Sequence, residues 1–287
     1  MNNKKQEKHQ DGSNSNKKEP TDHEETATSS TTPPPKDVLH SDVCSICMDN
    51  VSMLDTFTYT ICTGCGKCMH KMCGRDLLGS NLSEETKASC PMCRAKNVPK
   101  GSAEEIRRLR KWSQKNKSWA QLMLGARYRE GVGVPHDDKR ASVLYKLAAD
   151  QGHHQAQFNL GVMYAKGEGI AQSVELAFKY YKLCADQGVA NAQFNVGNGY
   201  AQGKGVEQSD LKASEFYKLA ADQGHHHAQC NLGNMYSEGR GVFQSDPLSL
   251  KYFKLAAEAG DAQAQSQVGA YYANGTGVEQ SLTKARK

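Results

Sequence analysis

The stretch AQFNLGVMYAKGEG, residues 156–169, decides the fold, because its pattern returns along the chain from residue 118 onward. Its glycine at 161 and its tyrosine at 164 both recur every 36 residues. The glycines are Gly125, Gly161, Gly197, Gly233 and Gly269. The tyrosines are Tyr128, Tyr164, Tyr200, Tyr236 and Tyr272. Five copies in register without an insertion predict an array of similar structural repeats.

Each repeat contains two stretches with helical spacing. Alanine and larger apolar residues recur four positions apart, which places them on one face of a helix. They are Ala156, Leu160 and Tyr164 in one stretch and Ala177, Tyr181 and Ala185 in the next. Between the two, Gly167 and Gly169 allow a left-handed end to the first helix. Polar caps of the second helices are predicted at Asp137, Ser173, Ser209 and Ser245. Each repeat is therefore a predicted helix hairpin, and the small glycines let the hairpins stack into a solenoid.

The pattern A-x-x-x-L-G-x-x-Y-x-x-G-x-G-V, followed by A-x-x-x-Y-x-x-A-A-x-x-G, resembles Sel-like repeats, which are relatives of the tetratricopeptide repeat. The resemblance covers 118–287, about 4.5 repeats of 36 residues. Residues 102–116 align with a second helix alone, and Ser102 with Glu105 reads as a capping box. We therefore expect a linker and an N-terminal half-repeat over 96–117.

The resemblance also implies a protein-binding surface on the first helices. Alignment with tetratricopeptide positions puts five amide side chains on the concave face, where such repeats hold peptide backbones. They are Asn159, Asn195, Asn198, Asn231 and Asn234. An amide both donates and accepts hydrogen bonds, so it suits an extended chain. The alternative is a polar surface ladder that binds nothing.

Two other polar sets recur in the repeats, and we interpret both as structural. Glutamines in register predict hydrogen bonds between repeats; they are Gln121, Gln157, Gln193, Gln229 and Gln265. The histidines at 153–154 and 225–227 follow Gly152 and Gly224. We interpret them as polar loop residues, with metal binding as the less favoured alternative.

The N-terminal third differs in composition. Residues 1–40 are polar and contain almost no large apolar side chain, which predicts a disordered tail. Eight of the ten cysteines lie between Cys44 and Cys93.

No run in the sequence approaches the roughly 20 apolar residues that cross a bilayer, so we expect a soluble protein of the cytoplasm or nucleus. The net charge of +5 is modest, which disfavours nucleic acid as a partner.

The cysteine spacing predicts metal binding in residues 41–95. Cys44-x-x-Cys47 and Cys90-x-x-Cys93 each supply two ligands to a tetrahedral zinc ion, which takes four. Two zinc ions would therefore each lack two ligands. Residues 62–73, CTGCGKCMHKMC, must supply four more ligands. A C-x-x-C knuckle at 62–65 and an H-x-x-C pair at 70–73 do so and leave Cys68 spare.

This order of ligands resembles a cross-braced RING-type finger. The resemblance implies two zinc ions per chain. The first would be held by Cys44, Cys47, His70 and Cys73, and the second by Cys62, Cys65, Cys90 and Cys93. Two alternatives stay open. Cys68 could replace Cys62 as a ligand, or the module could be a PHD finger, against which Ala88 stands at the usual tryptophan position.

The RING resemblance implies a surface for a ubiquitin-conjugating enzyme, made by Ile46, Leu77, Leu78, Pro91 and Arg94. The sequence-based function is thus a RING-type ubiquitin ligase whose solenoid recruits a substrate or adaptor. Such a transferase has no catalytic residue or covalent intermediate of its own. The alternative is a non-catalytic zinc-binding adaptor. The predicted fold is mostly α: an α-solenoid of helix hairpins, preceded by a small zinc-stabilised finger and a disordered tail.

Overall fold

The computed structural model describes the backbone of residues 59–61 and 68–70, and the backbone and side chains of residues 98–285. The predicted tail at 1–40 and most of the predicted finger lie outside these residues. No helix in the described part is long and apolar enough to cross a membrane.

Two short strands pair within the cysteine-rich region. Strand β1 is Tyr59–Ile61 and strand β2 is Cys68–His70. They are antiparallel, with Tyr59 opposite His70 and Ile61 opposite Cys68. Sequence patterns did not indicate these strands, because three residues are too few to show an alternation of apolar and polar side chains.

The repeats form the predicted helix hairpins, preceded by helix α1 (Ala103–Gln114). The first helices of the hairpins are α2 (Ser118–Glu130), α4 (His154–Lys166), α6 (Ala190–Gln202), α8 (His226–Glu238) and α10 (Ala262–Asn274). The second helices are α3 (Asp138–Asp150), α5 (Val174–Ala185), α7 (Asp210–Asp222), α9 (Asp246–Glu258) and α11 (Leu282–Ala285). Each helix packs on the next one in sequence, so the predicted all-helical solenoid is confirmed.

The helix ends follow the local sequence. A glycine in the left-handed region ends each of the first helices, as at Gly167 with a φ of 74°. Four of the second helices begin at a side-chain cap that accepts a hydrogen bond from the backbone three residues later. These caps are the predicted Asp137, Ser173, Ser209 and Ser245. The chain therefore reverses direction at places that individual residues specify.

The core explains why glycine recurs at the 125 register. An added Cβ at Gly197 would lie 2.6 Å from the ring of Tyr217, which comes from the second helix of the same hairpin. The same close approach joins Gly125 to Tyr145, Gly161 to Tyr181, and Gly233 to Phe253. An aromatic ring therefore lies directly on the glycine backbone in four hairpins. These glycines therefore permit close packing inside each hairpin, where a ring fills the space, and not the predicted close contact between neighbouring hairpins.

A buried ion pair fastens α1 to the first hairpin. The Arg127 guanidinium donates to both carboxylate oxygens of Glu105, at 2.7 and 3.1 Å. Their side chains are only 9% and 6% exposed. Arg127 stands where other repeats have Met163 and Met235. Because losing one partner would leave the other charge buried and unpaired, this pair ties α1 to α2.

The interpretation of His153 and His154 as polar loop residues is wrong. His154 is the first residue of α4, and the two side chains are only 5% and 2% exposed. Their rings stack with centroids 5.5 Å apart. Both Nδ1 atoms are buried without a hydrogen-bond partner in the described part of the chain.

Candidate functional site

A polar cavity lies among α6, α7 and α8. Its volume is about 220 Å³. Three of the five predicted amides, Asn198, Asn231 and Asn234, lie on its wall. The rest of the lining is formed by Ala201, Gln202, Asp210, Tyr217, Met235 and Arg240. The 36-residue period brings these amides together, because Asn198 and Asn234 occupy the same position in neighbouring repeats.

One wall of the cavity is held rigid by a hydrogen bond. The Tyr217 hydroxyl donates to Asn198 Oδ1 at 2.7 Å. Burial raises the pKa of Tyr217, and a hydrogen bond with Asn231 offsets part of that rise. The hydroxyl therefore stays protonated at neutral pH and remains a donor. Since Asn198 Oδ1 is occupied as an acceptor, its NH₂ group is the part left to donate to a ligand.

Asp210 on the cavity wall has an unpaired carboxylate oxygen. Asp210 is the first residue of α7, and its Oδ1 is buried without a hydrogen-bond partner among residues 98–285. A buried acceptor without a donor costs about 1–3 kcal/mol. A bound group that donates to Asp210 would recover that cost. The other charged group on the wall, Arg240, pairs with Glu238 at 2.6 Å.

The two remaining predicted amides lie outside the cavity. Asn159 is on α4 and Asn195 on α6, both half-buried and at the position that Asn231 takes on α8. Gln155 Nε2 donates weakly to Asn159 Oδ1 at 3.4 Å. The structure thus brings three amides to one cavity, and the other two continue the row along preceding first helices.

Sequence reasoning missed Tyr217, Asp210 and Arg240. Tyr217 shares the recurring position of Tyr181, which the spacing placed only on the apolar face of a second helix. Asp210 directly follows the predicted cap Ser209 and belongs to no motif of its own. Nothing in the linear sequence shows that these residues, from a second helix and from a loop after α8, face the same space as the amides.

The predicted zinc and enzyme-docking residues mostly fall outside the described part. Of the eight predicted metal ligands, His70 has a described backbone, in β2. The other seven lie outside the described residues, as do Ile46, Leu77, Leu78, Pro91 and Arg94. The assignments of these residues stay predictions.

Comparisons with known proteins identify the repeats. The model of the Sel1 repeat family matches residues 120–153, 154–189, 190–225, 226–261 and 262–287. A protective antigen of uropathogenic Escherichia coli that displays an SLR fold is 37% identical, with a TM-score of 0.62. A Sel1 repeat protein from Oxalobacter formigenes is 31% identical, with a TM-score of 0.60.

The matched part covers 64% of this chain in both structures. It covers 39% of the E. coli chain and 73% of the O. formigenes chain. No curated protein matches the chain. These matches support a Sel1-like solenoid. None of them is to a RING or zinc-finger family.

Proposed function

Because the chain belongs to the Sel1 repeat family, we propose that its solenoid binds an extended segment of a protein partner along the amides of α4, α6 and α8. The observation that carries this proposal is the polar cavity with Asn198, Asn231 and Asn234 on its wall. Side-chain amides pair with both the N–H and the C=O groups of an extended backbone. A solenoid presents such groups at regular intervals, which suits a ligand that is itself extended.

The cavity also restricts the chemistry of the partner segment. The free Asp210 Oδ1 requires a donor, which a backbone N–H or a basic side chain of the partner supplies. Arg240 on the same wall is paired with Glu238, whereas Asp210 Oδ1 has no hydrogen-bond partner among the described residues. We therefore expect a neutral or basic segment to bind better than an acidic one.

A peptide selection tests this function. Extended peptides are selected from a random library on the full chain, and the affinity of the best peptide is then measured with variants. Asn231→Ala with Asn234→Ala should weaken binding about 5- to 150-fold, since each of the two lost hydrogen bonds is worth about 0.5–1.5 kcal/mol.

The matched control is Asn191→Ala, because Asn191 is an exposed amide on α6 that does not line the cavity. It should leave the affinity of the peptide unchanged. Equal affinities for the wild type and the Asn231→Ala/Asn234→Ala variant would remove the cavity from partner binding. Thermal melts of each variant establish that the solenoid is intact.

We further propose that the cysteine-rich segment binds two zinc ions and docks a charged ubiquitin-conjugating enzyme, in the cytoplasm or nucleus where thiols stay reduced. The bound zinc would supply folding energy and no acid–base chemistry. The pairing of β1 with β2 supports this proposal. A C-x-x-C pair gives two ligands from a tight reversal of the chain, and Cys62 and Cys65 belong to the six residues of sequence that connect these antiparallel strands.

Metal analysis and a discharge assay test the ligase proposal. Two zinc ions per chain are expected; Cys62→Ser should lower that number and Cys68→Ser should not. Arg94→Ala should slow transfer of ubiquitin from the conjugating enzyme to free lysine. If a broad panel of conjugating enzymes gives no ubiquitin transfer with the zinc-loaded chain, the adaptor function is favoured instead.

A further inference from the structure

Two histidines and an aspartate meet where α8 and α10 begin. His226 and His227 are the first two residues of α8, and Asp261 is the N-cap of α10. One possible ligand atom from each residue lies within 4.8 Å of the other two. His227 Nδ1 is 3.0 Å from Asp261 Oδ2. His226 and His227 begin the first helix of one hairpin and Asp261 caps the first helix of the next, so the cluster joins one hairpin to the next.

The carboxylate of this cluster is held in place. Asp261 Oδ1 accepts the Ala264 backbone N–H at 3.0 Å, which leaves Oδ2 directed at His227. The Asp261 side chain is 7% exposed. The orientation of this carboxylate is therefore fixed, as in metal sites whose ligands are oriented by other groups.

We propose that His226, His227 and Asp261 bind a divalent first-row transition-metal ion of the nickel, copper and zinc class. Imidazole nitrogen with carboxylate oxygen is a donor set that these ions favour, whereas calcium and magnesium prefer oxygen alone. Bonds of about 2.0–2.1 Å place tetrahedral ligands about 3.3 Å apart. The His227 and Asp261 atoms already have nearly this separation, and rotation of the half-exposed His226 ring completes the set.

The neighbouring His225 is excluded from the site by its own hydrogen bond. Its Nδ1 accepts the Ala228 backbone N–H at 3.2 Å, so the neutral ring carries its proton on Nε2. No nitrogen lone pair is then free for a metal. His225 also stacks on Phe194, with ring centroids 4.5 Å apart. Of the three consecutive histidines, the site therefore uses His226 and His227 and not His225.

The same positions in other repeats lack the donor pair. The residues equivalent to His227 and Asp261 are Trp119 with His153, Gln155 with Val189, and Asn191 with His225.

The positive ends of the α8 and α10 helix dipoles oppose a bound cation. The Asp261 carboxylate offsets that effect, and its replacement by an uncharged side chain should therefore be especially damaging to Ni²⁺ binding.

The test uses the full chain loaded with two equivalents of zinc for the N-terminal cysteines and then freed of excess zinc, so that the His226, His227 and Asp261 cluster stays open to Ni²⁺. Ni²⁺ is then titrated, and binding is followed by calorimetry and by the amide NMR signals of the labelled chain. Ni²⁺ should shift or broaden signals at the start of α8 and of α10. His227→Gln and Asp261→Asn should each weaken Ni²⁺ binding about ten-fold or more, the least that loss of a supporting partner costs at a metal site.

The variants are chosen to leave the fold intact. Asn is a good N-cap, so Asp261→Asn keeps the cap of α10 while removing the charge, and the exposed His227 tolerates Gln. The matched control is His225→Asn, which keeps the cap of α8 and should leave Ni²⁺ affinity unchanged. Melting curves without Ni²⁺ check each variant.

Three results would each overturn the site. One is the absence of Ni²⁺-dependent signal changes at α8 and α10 in the wild type. Another is a loss of Ni²⁺ affinity in His225→Asn as large as that in His227→Gln, which would show that Ni²⁺ binds any of the consecutive histidines. The third is wild-type affinity in Asp261→Asn, which would show that the carboxylate is not a ligand.

Discussion

Buried glutamines show how one side chain joins two repeats. Gln157 Nε2 donates to the carbonyl of Ala149 in the preceding repeat, at 3.4 Å. Its Oε1 accepts from Gln187 Nε2, at 2.7 Å, in its own repeat. Gln193 makes the same two bonds, to Ala185 and Gln223. The predicted hydrogen bonding between repeats is therefore present, and it depends on a second row of glutamines that the sequence analysis did not single out.

This pattern is incomplete at Gln229. Its Nε2 donates to the carbonyl of Ala221 at 3.1 Å, but its Oε1 is buried with no partner in the described solenoid. The residue at the position of Gln223 is Ala259, which is exposed and has nearly the same backbone angles. Ala259→Gln should supply the missing donor and stabilise the protein by about 1 kcal/mol. That gain should raise the melting temperature by about 2–4 °C.

The reverse change provides the control for this prediction. Gln223→Ala should create the same unpaired acceptor at Gln193 and destabilise the protein by about 1–3 kcal/mol. Melting temperatures measured side by side decide the matter. A lower melting temperature for Ala259→Gln would mean that the row of glutamines does not act through this hydrogen bond.

The buried His153 makes stability depend on pH. Burial, with a smaller contribution from the neighbouring His154, lowers the pKa of His153 to about 4. Between pH 6.5 and pH 4 the unfolded chain binds a proton that the folded chain does not, so stability falls as the pH is lowered. His153 alone should contribute a loss of about 1.4 kcal/mol per pH unit in that window and none above it.

Urea unfolding at several pH values measures this contribution. His153 is the N-cap of α4, and Asn suits that position, so His153→Asn removes the titrating group without removing a cap. Between pH 6.5 and pH 5 the wild type should lose about 2 kcal/mol more than this variant. Parallel pH profiles for the two proteins would assign the acid sensitivity to other groups.

At the scale of the elements, the glycine on each first helix determines how closely its hairpin packs. A Cβ at Gly197 would come within 2.6 Å of the Tyr217 ring, whose hydroxyl is fixed by Asn198. Gly197→Ala should therefore force the ring to move and destabilise the protein by about 1–3 kcal/mol, as overpacking does. The same change should also distort the amide-lined cavity and weaken peptide binding.

Gly269→Ala is the matched control, because Gly269 has the same position in the last hairpin but no ring from residues 98–285 lies against it. The nearest atom to its added Cβ is the Ala285 carbonyl oxygen, at 3.1 Å. Alanine favours a helix over glycine by up to about 1 kcal/mol, so this variant should be neutral or more stable. Urea unfolding of both variants distinguishes them. Equal losses would mean that the aromatic ring is not the reason for the glycine.

The hairpins could be predicted from the sequence because their signals are local. The four-residue spacing, the glycine ends and the caps at Asp137 and Ser173 each act within one turn of helix. The cavity could be predicted only in part. Asn198 and Asn234 were predicted from the alignment with tetratricopeptide positions, whereas Tyr217, Asp210 and Arg240 meet them through packing between different elements. His153 escaped prediction for the same reason, since its position after a glycine suggested a loop and only the neighbouring helices bury it.

At the scale of the whole solenoid, stability should vary along the chain because each hairpin contacts only its neighbours. Helix α10 buries Ala264 and Tyr271, whereas α6 buries six residues. The element after α10 is the four-residue helix α11, so one side of α10 is covered by less structure than the other first helices have. Local opening requires less free energy where fewer side chains are buried.

Hydrogen exchange with mass spectrometry measures this difference directly. Peptides covering 262–274 should exchange faster than peptides covering 190–202, and each ten-fold difference in rate corresponds to about 1.4 kcal/mol in the free energy of opening. Helix α8 serves as the internal reference, because it buries six residues like α6 and adjoins the last hairpin. Its protection should resemble that of α6. Equal protection of α10 and α6 would show that contacts beyond the described residues cover α10, and the nearest-neighbour account of the solenoid would then fail at its C-terminal hairpin.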